Sequence, residues 1–226
     1  LRHFPDNVRL TQLFALSQIK CGFLLEARDL LTTLVKKGHE DEETLGILGR
    51  VYKDMWQIAG EGERDHPYLQ KSRNLYLKAF LNSRGYYSGI NAASLSLIMD
   101  DWEKAERLAR IVIKMCRELY SGETQDGYWI LATLGEAYVI LGRKEQAILC
   151  YRKARALIDR NFSELASTKR QLRLLRRYTD VDDAVVDTLV IPQVVAFSGH
   201  MIDAPGRNPS RIPAPAAREV KDRIAA

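Results

Sequence analysis

The stretch that decides the fold is Asp126 to Arg160, DGYWILATLGEAYVILGRKEQAILCYRKARALIDR. In it Leu134-Gly135 is followed by Tyr138, Gly142, Ala147, Tyr151 and Ala154. The pattern describes two antiparallel helices. The small residues Gly135 and Ala147 let the helices approach closely, and Tyr138 and Tyr151 fill the space beside them. Gly142 ends the first helix in a left-handed turn, a conformation that glycine adopts without a Cβ penalty.

The order and spacing resemble the tetratricopeptide repeat, a helix pair of about 34 residues. Other units run in phase. Leu48-Gly49 with Tyr52 repeats the signature, and Ser72, Tyr76 and Ala79 match Ala147, Tyr151 and Ala154. The segment from Ile58 to Pro67, rich in glycine and charge, reads as an extended loop within this unit. Upstream, Phe14-Ala15, Gly22, Ala27 and Leu31 form an earlier unit, and Ala15 lies 34 residues before Gly49. Ala92-Ala93 with Ala105 and Ala109 form the unit between, with extra residues in Leu119 to Gly127.

The expected fold is therefore all-α: a tetratricopeptide-like superhelix of about four helix pairs over residues 7–160, closed by a capping helix from about Ser163 to Tyr178. One pair cannot bury its apolar face alone, so neighbours stack and leave a concave groove. The first helix of each pair lines it. The pattern places Gln12, Leu16, Arg50, Lys53, Tyr87, Ile90, Ser94, Trp129 and Glu136 there. Such mixed aromatic and charged lining suits a peptide or helix from a protein partner, or another copy of the chain. The capping helix carries Lys169, Arg170, Arg173, Arg176 and Arg177 around Leu172, Leu174 and Leu175. It reads as the polar outer face of a terminal repeat, although folding back to occlude the groove is also open to it.

Three blocks carry a more specific resemblance: Gly49-Arg50-Val51-Tyr52-Lys53-Asp54-Met55, Leu77-Lys78-Ala79-Phe80 and Ser88-Gly89-Ile90-Asn91-Ala92-Ala93. In this order they resemble the TRAF-binding region of the apoptosis signal-regulating kinases, a helical-repeat segment with relatives in bacterial multidomain proteins. The resemblance covers about residues 5–180. It implies a regulatory module of a signalling protein and supplies no catalytic residue. TRAF binding itself is not carried over, since the clean repeat at 126–160 and the C-terminal tail fit the bacterial relatives better.

The tail changes character, with five of the seven prolines in 192–226. A domain boundary is expected between 180 and 181. The β-branched run Val186 to Phe197 reads as a buried strand, followed by a loop and a helix. This strand-loop-helix order suits the start of a truncated α/β domain, where a glycine lets backbone amides approach a phosphate. The run Val195-Ala196-Phe197-Ser198-Gly199-His200 resembles the opening of SLOG-type nucleotide-sensing domains, which makes Ser198, Gly199 and His200 a candidate ligand loop. Only about 30 residues follow it, so nucleotide binding is expected only in a longer protein. The repeats would then be structural support for that domain.

Other function classes find little support. A net charge of +5 is not concentrated in either part of the chain, which argues against nucleic acid. No apolar run spans a membrane, and a cytoplasmic location is expected. Cys21, Cys116 and Cys150 are far apart and read as reduced, buried thiols with no metal-ligand spacing. No cofactor is expected. Ser198 is too close to His200 to form a triad with it, no kinase signature is present, and the chain is read as a non-enzyme. Lacking an initiator methionine, it is expected to be a piece of a longer protein.

Overall fold

The structure is a computed structural model, and it describes residues 6–60, 62–120, 126–158 and 162–190. The chain divides into a unit of residues 1–191 and a second of 192–226. The second lies wholly outside the described residues, as do Ser198, Gly199 and His200.

The described residues of the first unit form helices joined by turns and loops. The helices are α1 (Val8–Lys20), α2 (Leu24–Lys36), α3 (Glu42–Ala59), α4 (Pro67–Ser83), α5 (Tyr86–Ile98), α6 (Trp102–Leu119), α7 (Gly127–Ile140), α8 (Lys144–Ala156), α9 (Phe162–Leu175) and α10 (Asp183–Val186). The first eight form four sequential pairs.

Local chemistry sets the ends. Asn7, Asp41 and Asp101 cap α1, α3 and α6, their side chains accepting from the amides of Leu10, Thr44 and Lys104. His66 caps α4, with Pro67 in its first turn. Turns within pairs need a left-handed residue. Gly22 (φ +85°) and Gly142 (φ +67°) supply it in the first and fourth, and Asp100 (φ +67°) in the third. Asp tolerates this region better than most residues because its short side chain bonds locally. Here Asp100 accepts a 2.7 Å bond from the Trp102 indole and pairs with Arg64 at 2.9 Å. The second pair instead uses the long loop that the sequence places between Ile58 and Pro67.

The pairs close on small residues. Ala27, Ala79, Ala105, Ala109, Ala147 and Ala154 are fully buried. A Cβ on Gly49 would meet the Tyr76 ring at 3.0 Å, and one on Gly135 would meet the Tyr151 ring at 2.7 Å. The same glycine–tyrosine contact thus joins α3 to α4 and α7 to α8. A continuous core runs from Trp56 through α4 to α9 and on to Leu189, and a smaller cluster unites α1, α2 and one face of α3.

Two expectations are corrected. Val186 does not open a strand: Asp183–Val186 is one helical turn, followed by turns at Asp187 and Thr188. Val185, Val186 and Leu189 are buried in the main core, so packing α10 onto α8 and α9 satisfies the apolar run without a sheet. The remainder of that run, 191–197, lies outside the described residues. Cys21 is exposed, because it sits at the C-cap of α1 beside the Gly22 turn, while Cys116 and Cys150 are buried.

Candidate concave site

The first helices of the pairs, α3, α5 and α7, present one face to a common hollow, and α9 forms a further wall. An inner cavity of about 130 Å³ is bounded by Arg50, Lys53 and Asp54 of α3, Tyr76 of α4, Tyr87 and Ile90 of α5, Trp129 and Glu136 of α7, and Arg170 and Gln171 of α9. It adjoins a wider trough of about 880 Å³ that reaches Leu16 of α1 and Ile47 of α3. Arg50, Tyr87, Trp129 and Thr133 border both. Tyr87 and Trp129 remain 46% and 38% exposed, so aromatic surface is open to a ligand where the two spaces meet.

One chain of polar contacts closes the inner end. The Lys53 ammonium donates to Gln171 Oε1 at 3.2 Å. The Gln171 amide donates to Glu136 Oε1 at 2.7 Å, and the Ser94 hydroxyl donates to the same oxygen at 2.5 Å. Four helices, α3, α9, α7 and α5, are thereby linked. Thr168 and Tyr128 hydroxyls, 2.7 Å apart, add a second tie between α9 and α7, and Leu165, Leu172, Leu174 and Leu175 bury the apolar side of α9.

The electrostatics follow from this enclosure. Burial pulls the Lys53 ammonium below its usual value; Asp54 and Glu136 oppose the shift, and nearby Arg50 and Arg170 add to it. Burial pushes the Glu136 carboxyl up, against the bonds from Ser94 and Gln171 and the charge of Lys53. Arg50 pairs with Asp54 at 3.6 Å.

Of the nine groove residues expected from the sequence, Arg50, Lys53, Tyr87, Ile90, Trp129 and Glu136 line the inner cavity, and Leu16 lines the trough. Two are corrected. Gln12 is buried and ties α1 to the start of α3, its amide donating to Thr44 Oγ1 at 2.9 Å and Asp41 Oδ1 at 3.1 Å. Ser94 is buried behind Glu136 and positions that carboxylate. The sequence left open that the last helix folds back onto the groove but assigned none of its residues to the lining; Ser167, Thr168, Arg170 and Gln171 of α9 form that wall. The spacing of Ser167, Arg170, Gln171 and Leu174 puts them on one helix face, which was the available signal. Among the described residues, no cluster of His, Cys, Asp and Glu could hold a metal, and no helix is long and apolar enough to cross a membrane.

A family model described as TPR-S, Tetratricopeptide Repeats-Sensor, matches residues 1–96. The crystal structure of a thermophilic tetratricopeptide-repeat protein from Thermus thermophilus is similar over 76% of this chain and 85% of its own, at 20% identity and a TM-score of 0.57. No curated protein matches the chain. Repeat phase, helix pairing and these likenesses agree: the chain has the fold of a tetratricopeptide-type helical-repeat protein.

Proposed function

We propose that the chain is a non-enzymatic recognition module that binds a segment of a protein partner along its concave face and relays that binding within a larger signalling protein. Repeats of this type generally mediate protein–protein interaction. The observation that carries the reading is the shared border at Arg50, Tyr87, Trp129 and Thr133, where open aromatic surface meets fixed charge. Aromatic anchors with a charged neighbour are the usual centre of a peptide-binding surface. The TPR-S description names a sensor, and the resemblance to the TRAF-binding region of apoptosis signal-regulating kinases points to the same regulatory class.

The test places a photoreactive amino acid at Tyr87 and, as a control, at exposed Trp102. Peptides cross-linked from position 87, absent from 102 and lost with Arg50→Glu/Trp129→Ala, would locate the partner in the trough. Equal cross-linking from both positions would refute the assignment.

A further inference from the structure

Three cations converge on the inner cavity, Arg50 and Lys53 from α3 and Arg170 from α9. Two carboxylates share its wall, and both are engaged. Asp54 faces Arg50, and Glu136 accepts from Ser94 and Gln171. The hydrogen bond of the Lys53 ammonium goes to a neutral amide oxygen. Positive charge therefore exceeds negative charge by one on this wall, with Arg50 and Lys53 half-buried and Arg170 at the exposed rim. The hydroxyls of Tyr76 and Tyr87, hydrogen-bonded to each other at 3.5 Å, border the same space, and the one that accepts in that pair can donate to a ligand.

We propose that this inner cavity is a binding site for a small, multiply charged oxyanion, gripped by Lys53, Arg50 and Arg170. An oxyanion accepts charge-assisted bonds from guanidinium and ammonium groups, the strongest hydrogen bonds available to these side chains. At about 130 Å³ the cavity limits the group held there to a small one. Arg170 belongs to α9, so the site is complete only with α9 in place, and the anion would hold α9 against α3. The site adjoins the outer trough and shares Arg50 with it, whereas Lys53 and Arg170 border the inner cavity alone; variants at these two positions therefore test the anion site separately from partner binding in the trough.

The test is calorimetric titration of the full chain with inorganic pyrophosphate at constant ionic strength, chloride replacing it in the blank. Lys53→Met and Arg170→Gln alter the cavity, and Arg107→Gln, on the exposed face of α6, controls for general charge. Saturable one-to-one binding is expected, weakened about tenfold or more by either cavity variant and unchanged by the control. Arg170 is exposed, so Arg170→Gln decides the matter if Lys53→Met does not fold. Absence of saturable binding, or equal loss in Arg107→Gln, overturns the proposal.

Discussion

The ring of Tyr151 lies so close to the backbone of Gly135 that a methyl group there would fall 2.7 Å from it. The contact is a tight one between α7 and α8, and the ring is almost fully buried. Gly135→Ala is expected to destabilise the protein by about 1–3 kcal/mol. Gly49→Ala, which meets Tyr76 at 3.0 Å, should cost less. Thermal melts of the two variants check the order. Equal melting temperatures for Gly135→Ala and wild type would mean that α7 and α8 pair differently.

Ala147 tests the same seam from the other helix. Its side chain has no exposed surface, and Ala147→Leu adds volume where none is free. A loss of about 1–3 kcal/mol is expected from denaturant unfolding.

Gln171 is the hinge pin of α9. Gln171→Ala removes one bond to Lys53 and one to Glu136. Both charged groups lose a partner in a half-buried site, at an expected cost of about 1–3 kcal/mol. Hydrogen exchange should speed up across 162–175 before it changes in α1 or α2. Uniform acceleration would contradict a local role.

Glu136 gives a pH signature. Burial holds its folded-state pKa above the ordinary 4.5. The folded state therefore binds this proton more readily than the unfolded chain. The resulting stabilisation is fully present below 4.5 and is lost as pH rises through the folded value. Glu136→Gln should flatten this part of the profile, so the melting temperature of wild type relative to the variant should rise between neutral pH and 4.5. A constant difference across that range would show that Glu136 titrates normally.

The cysteines separate by reactivity. Burial raises the Cys116 thiol to about 12 and also raises Cys150, whereas Cys21 is exposed. A thiol reagent at neutral pH should label Cys21 quickly and the other two only on unfolding. Cys21→Ser should abolish the fast phase.

The helix pairs were legible in the sequence because their determinants are local. Gly142 needs a left-handed turn, Ala147 and Gly135 need close approach, and each lies within one turn or one pair of its partner. The expected strand at Val186 failed because β-branched apolar runs are read equally well by a sheet or by a docked turn, and the core beneath α8 and α9 decided for the turn. Gln12 and Ser94 sit on the inward helices as expected, yet sequence spacing could not reveal that Asp41 and Glu136 engage them. What the tertiary structure alone decided is the inner cavity. Its wall depends on Lys53 meeting Gln171 across 118 residues of sequence. Periodicity reports which face of a helix is buried; where that face lands is set by the summed stacking of every pair between.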